Sequence, residues 1–281
     1  MNNQIISTIK EAHGFEQIIN IRHYLYDKKD IILSAASSET NIKLWKCRTL
    51  ECFLEIKKTD DNYLVSACLF QDKNQYFIAA AQQLKKLKIF DINGKQIKDI
   101  QKLYDDNCEH IVLFMDIYFD KKSSTNYILN CGFGLLKSYD YNKGILFKNY
   151  VKSKDNNDIN TYYYFVIYDN GIKIKLITAY SKGKIRIFNF NSAELLSEID
   201  IDIYSQNNFS SHCLWNNNYL FVANEKFSLK LIDLEKEKII KTFPKEAENG
   251  IFVKTFNHPL YGKCILSQHK DETIKLWVKD N

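Results

Sequence analysis

Seven cysteines, six histidines and a scatter of carboxylates are the residues of this 281-residue chain that could do chemistry. Their spacing narrows what that chemistry could be. Cys47, Cys52, Cys68, Cys108, Cys131, Cys213 and Cys264 include no C-x-x-C pair, and their odd number leaves at least one thiol unpaired. The sequence therefore carries neither a zinc-ribbon pattern nor a disulfide framework. The histidines (His13, His23, His110, His212, His258 and His269) show no H-E-x-x-H and no ligand spacing with the thiols. His212 and Cys213 are adjacent, and neighbours on a strand point to opposite faces, so an undistorted strand does not offer both to one metal. Gly132-Phe133-Gly134 lacks the third glycine and the following helix of a dinucleotide fingerprint, and there is no G-x-x-x-x-G-K. A hydrolase would need two carboxylates held at a working separation. Glu16, Asp116 and Asp169 are the acids on probable inner strands, and nothing in their spacing brings them together. The expectation is a non-enzyme with no metal and no cofactor.

Charge does not redirect this reading. The formal charge is +5, but only Arg22, Arg48 and Arg186 among the 39 basic residues are arginines. Lysine is a hydrated point charge, whereas bidentate phosphate or guanine recognition favours the arginine fork. Lys85, Lys86 and Lys88 alternate on a strand as Lys43, Lys184 and Lys275 do on theirs, which reads as architecture. Nucleic acid is not the expected partner. At 45% hydrophobic, with nine glycines and two prolines, the chain must fold around a core and is neither disordered nor collagen-like. The N-terminal MNNQIISTIKEAHGF has no signal-peptide pattern, and apolar runs such as Ile111–Met115 are too short to span a bilayer. These features predict a soluble, intracellular and cytoplasmic protein that does not insert into a membrane.

The elements that would position any site follow from a repeat. An apolar residue, Lys or Arg, an aliphatic residue and an aromatic recur as IKLW (Ile42–Trp45), LKIF (Leu87–Phe90), IRIF (Ile185–Phe188) and IKLW (Ile274–Trp277). Weaker copies are LKSY (Leu136–Tyr139) and LKLI (Leu229–Ile232). The six anchors, Trp45, Phe90, Tyr139, Phe188, Ile232 and Trp277, lie 45, 49, 49, 44 and 45 residues apart. About ten residues before each anchor comes a bulky run that ends in small residues, such as YFIAAA (Tyr76–Ala81), suited to a strand buried on both faces. After the anchor comes a strand of alternating charge, such as KQIKDI (Lys95–Ile100), and before each buried strand an apolar one, such as YLVSACLF (Tyr63–Phe70). Four-stranded antiparallel units at this period pack radially as propeller blades.

The pattern resembles the WD-repeat family. DETIKLW (Asp271–Trp277) matches the family signature throughout and ETNIKLW (Glu39–Trp45) nearly so. The middle four copies have lost the turn Asp, and the Gly-His pair is eroded to Ala12-His13-Gly14 and Glu109-His110. The expected fold is all-β: one domain over residues 1–281, forming a closed six-bladed β-propeller of four-stranded antiparallel blades. The last repeat stops after its third strand, so the N-terminal strand Gln4–His13 is expected to complete the last blade and remove an exposed edge. Phe15–Ile21 is the expected inner strand of the first repeat.

The expected function is a non-enzymatic scaffold or adaptor that presents propeller loops to partner proteins, as a monomer or as a subunit of a hetero-complex. The resemblance implies docking on the rim before the anchor strands, which seven residues back from each anchor marks as Ser38, Gln83, Gly132, Ser181, Glu225 and Lys270. A permanent structural subunit of a large assembly is the alternative, and a propeller hydrolase with channel-mouth carboxylates ranks behind it.

Overall fold

Alternation of bulky and polar residues becomes strand at all six anchors. The computed structural model describes residues 18–36, 42–47, 49–57, 64–82, 87–100, 112–151, 161–180, 183–201, 209–215, 218–224, 227–243, 250–258, 262–269 and 274–277. The first sheet runs β1 (Ile18–Tyr26), β2 (Lys29–Ala36), β3 (Ile42–Lys46) and β4 (Cys52–Ile56). The second is β5 (Leu64–Asp72), β6 (Gln75–Gln82), β7 (Leu87–Asp91) and β8 (Gln96–Ile100). The third is β9 (Val112–Asp120), β10 (Thr125–Gly132), β11 (Leu135–Asp140) and β12 (Ile145–Asn149). The fourth is β13 (Tyr162–Asp169), β14 (Ile174–Tyr180), β15 (Lys184–Asn189) and β16 (Leu195–Asp200). The fifth is β17 (Phe209–Trp215), β18 (Tyr219–Asn224), β19 (Phe227–Asp233) and β20 (Lys238–Thr242). The sixth has β21 (Gly250–His258), β22 (Gly262–His269) and β23 (Ile274–Trp277). Every sheet is ordered as the chain runs, a meander of hairpins.

The protein is therefore an all-β chain of repeated antiparallel sheets. Two expectations need correction. The four-stranded unit occurs five times, not six, among the described residues, and the sixth sheet has three strands. Gln4–His13, the strand expected to complete it, lies outside the described residues. The first inner strand is described over Ile18–Tyr26 and so runs beyond the expected end at Ile21, because the two-residue turn Asp27-Lys28, both at positive φ (45° and 59°), extends the hairpin past the polar Arg22 and His23; residues 15–17 lie outside the described residues. That geometry fits the right-handed twist of the flanking strands, and Lys73-Asn74 repeats it in the second sheet. The outer strand of the third sheet, Ile145–Asn149, carries ILFKN, without the alternating charges of the other outer strands.

Contacts divide the chain into two compact units, Met1–Asn130 with Lys137–Phe147, and Cys131–Leu136 with Lys148–Asn281. In the first, sheets 1 and 2 press Ile31, Leu33, Leu44, Leu69, Ile78 and Phe90 into one core. In the second, sheets 4 and 5 do the same with Ile177, Ile185, Ile187, Leu220, Val222 and Ile232. The middle strands are covered on both faces and the fourth strands are largely exposed. Five of the six anchors, Trp45, Phe90, Tyr139, Phe188 and Ile232, are buried to 6% exposure or less. The Trp277 side chain is not among those described. Trp45 Nε1 also donates to Ser34 Oγ at 2.7 Å across the hairpin, so its polar atom is satisfied inside the core.

Two local devices recur with the repeat. The outer strand bulges at the anchor: Trp45 pairs with Cys52 and Leu44 with Leu54, which passes over Phe53. The same step passes over Ile97, Leu196 and Ile240 in sheets 2, 4 and 5. Each skipped residue is exposed. The residue after the anchor is Asp91, Asp140, Asn189 or Asp233, and its Oδ1 accepts one or two backbone N–H bonds at 2.9–3.0 Å from the following turn. Such side chains substitute for backbone turn bonds. In sheet 1 this place is taken by Lys46.

Candidate functional site

Within the first unit, the inner strands β1, β5 and β9 bring together the polar residues that the sequence left apart. Alternation aims Arg22 inward from β1, where its Nη1 meets Asp116 Oδ1 at 2.7 Å and its Nη2 donates to the Met115 carbonyl at 2.5 Å. The guanidinium lies 4.9 Å from the Phe114 ring centroid. Ser66 Oγ sits 3.3 Å from both the N and the O of Met115. Burial opposes the charge on Arg22, but Asp116 together with Tyr24 and Cys68 outweighs it and the group is held above its ordinary value. Burial also pushes the Cys68 thiol and the Tyr24 phenol up. A thiol held protonated is a poor nucleophile. The cluster is a cross-brace between β1 and β9, and Asp116, a carboxylate singled out above, is committed to it.

Asp169, the second such carboxylate, accepts the Gly171 N–H at 2.8 Å and shapes an exposed turn. Glu16 lies outside the described residues. Among the described residues no group of three or more His, Cys, Asp or Glu could hold a metal ion.

In the second unit the arrangement differs. His212 on β17 is 9% exposed, and neither ring nitrogen has a hydrogen-bond partner among the described residues. Its ring meets Tyr164 of β13 edge to face, with centroids 6.2 Å apart. Burial lowers its pKa to about 4, so it is neutral at physiological pH. The charged cluster of this unit lies further out, on β15 and β16. Arg186 donates to Glu198 Oε2 at 2.7 Å and to Tyr162 Oη at 2.9 Å, and covers the Tyr180 ring at 3.6 Å. Burial would raise Glu198, but its hydrogen bonds with Lys184 and Arg186 win and hold the carboxyl below its usual range.

The basic residues two before the anchors are similarly committed. Lys43 pairs with Glu55 at 3.5 Å, Lys230 donates to the Ile201 carbonyl, and Lys88 and Lys137 are each only 5% exposed. The architectural reading of these lysines agrees with their placement; Lys85 and Lys86 lie outside the described residues. Of the expected rim, Ser38, Gln83, Ser181, Glu225 and Lys270 also lie outside them. Gly132 ends β10 and is buried, and the exposed side chain at that turn belongs to Phe133.

A feature the sequence reading missed lies at the hairpin end of sheet 1. A groove of about 880 Å³ opens between the β1–β2 turn, the β3–β4 turn and the start of the β7–β8 turn. Tyr26, Phe53, Leu54 and Ile92 give it an apolar floor, and Lys28, Lys29 and Lys46 stand around it. Lys46 in place of the Asp or Asn that follows the other described anchors was the available signal.

No protein-family model matches this chain. No curated protein matches it either. By shape, 1469 chains of solved structure match, so the arrangement is a widely used one. Among them is the crystal structure of the computationally designed Ika8 protein, similar over 94% of this chain and 71% of that one, with a TM-score of 0.62 and 13% sequence identity. At that identity the likeness concerns the fold alone. No helix among the described residues is long and apolar enough to cross a membrane.

Proposed function

We propose that the chain is a non-enzymatic protein-interaction scaffold of WD-repeat type, built from propeller-like repeats of antiparallel sheet. The repeated antiparallel sheets, the bulged outer strands and the Trp45–Ser34 hydrogen bond support the architecture. The observation that carries the function is the groove on sheet 1: an open, apolar-floored, basic-rimmed surface built where one repeat departs from its siblings. Loops on a rigid scaffold are where binding specificity is placed. The inner-strand groups with catalytic potential are meanwhile occupied, Asp116 by Arg22 and Asp169 by its own turn. The partners in this reading are proteins rather than nucleic acid or a membrane, and the compartment is the cytoplasm.

Affinity purification of the tagged chain from its own cells, with cross-linking mass spectrometry, tests this reading. One stoichiometric partner set cross-linked to the loops is the expected result. A partnerless monomer would return attention to the inner carboxylates.

A second reading, a permanent subunit of a large assembly, is favoured by one observation: the outer strands expose Phe53, Ile97, Leu196 and Ile240 at equivalent bulges. A permanent subunit should aggregate or unfold when purified alone, whereas an adaptor should remain monomeric.

A further inference from the structure

We propose that the groove on sheet 1 takes an acidic, extended segment of a partner protein, with a large apolar side chain of that segment seated against Phe53. The proposal rests on the scaffold reading and specifies the kind of ligand. Because the chain is built from repeats, sheets 2 to 5 serve as internal references for sheet 1. In those four the residue after the anchor is Asp91, Asp140, Asn189 or Asp233, each folded back onto its own turn. In sheet 1 it is Lys46, so a cation takes the place of an oxygen acceptor at the groove.

Lys28 and Lys29 add two exposed ammonium groups, and no described residue pairs with either. The one acid on the lining, Asp30, is 2.9 Å from His23 Nε2. Lys46 holds Glu51 at 2.6 Å, an exposed pair of the kind worth little in water, so a ligand carboxylate can replace it. The charge of the groove is thus complementary to an acidic ligand.

The floor supplies the second half of the recognition. The bulge that passes over Phe53 turns its ring toward the groove, and Phe53 is the one aromatic among the residues skipped at the equivalent bulges Ile97, Leu196 and Ile240. Bulges re-aim side chains in this way. The groove volume lies within the range that holds a drug-sized group or a few side chains. It runs beside β4, the terminal strand of its sheet, where an extended chain can lie along the edge.

Fluorescence anisotropy with the full chain and a fluorescein-labelled octapeptide, Glu-Asp-Glu-Phe-Glu-Leu-Asp-Glu, tests the proposal. Controls are the same peptide with Gln and Asn for the acids, and with Ser for Phe. The acidic peptide should bind, each control should bind at least about tenfold more weakly, and raising the salt from about 50 to about 500 mM should weaken binding several-fold. The double variant Lys28→Glu/Lys29→Glu and, separately, Phe53→Ser should each lower affinity at least about tenfold, with an unchanged circular dichroism spectrum. Equal binding of acidic and neutral peptides, variants that bind like the parent, or no binding at about 1 mM would overturn the proposal. Cross-linking separates the two ideas. A partner set retained by Lys28→Glu/Lys29→Glu and cross-linked elsewhere removes the groove but keeps the scaffold, while a partnerless chain removes the scaffold and leaves the titration to decide the groove.

Discussion

The inner strands of the two units solve the same problem in opposite ways. In the first unit Arg22 brings a full charge into a mostly buried place and is met by Asp116 and the Met115 carbonyl. In the second, His212 is buried against Tyr164 with neither nitrogen bonded among the described residues. A guanidinium cannot lose its charge, so its burial requires partners. An imidazole can stay neutral, and burial without partners then appears as a lowered pKa instead of an ion pair. The first unit thereby depends on geometry and the second on pH.

That contrast can be broken from either side. Asp116→Ala should cost about 1 to 3 kcal/mol, because it strands a charge on the mostly buried Arg22 while Asp116 itself is 43% exposed and partly screened, and Arg22→Met with Asp116→Leu should recover most of the loss. Urea denaturation reads both, and a loss below about 1 kcal/mol for Asp116→Ala would show that the brace is ornamental. Trp45→Ala should cost about 3 to 5 kcal/mol by removing a side chain that is only 6% exposed and leaving a cavity. Trp45→Phe, which keeps most of the ring but loses the bond to Ser34, should cost about 0.5 to 1.5 kcal/mol.

In the second unit the expected effect depends on acid. The folded His212 pKa is depressed to about 4, so between its unfolded value near 6.5 and 4 the unfolded chain binds the extra proton. Stability should therefore fall as pH drops through that window, by up to about 3 kcal/mol, and His212→Phe should remove this part of the slope. An identical pH profile in the variant would show that His212 is solvated. Smallest of all, Asp233→Ala should cost about 1 kcal/mol by freeing the Glu235 and Lys236 N–H groups of an exposed turn. Asp91→Ala should match it in the first unit, since this device does not distinguish the two.

Much of the local structure was legible because it is repeated. The six copies of the basic-residue repeat placed β3, β7, β11, β15, β19 and β23 at their observed positions, and the small-residue runs placed the strands before them. Legibility failed where a strand broke the pattern that marked the others. β1 carries Arg22 and His23 where an apolar inner strand was sought, and β12 lacks alternating charge. The left-handed turn residues after β3, β15 and β19 are Leu50, Ala193 and Glu237, where only Gly94 and Gly144 follow the glycine preference. The candidate site was less legible still. Arg22 and Asp116 were both noticed, but nothing along the chain pairs residues that far apart, and the groove needs turns from two sheets.

Composition and period thus determined by themselves that the chain is all-β, that its strands come in antiparallel sets with two covered and one exposed, and which residues anchor each set. These follow from side-chain alternation and apolar content, which act locally and repeat. Tertiary structure alone decided that Arg22 braces Asp116, that His212 is buried against Tyr164 with no hydrogen-bond partner among the described residues, and that Phe53 and three lysines share a groove. The first two are meetings of residues from different sheets and the third of residues from separate strands and turns of one sheet, set by how strands and sheets pack, and packing depends on the whole surface rather than on any segment of the chain.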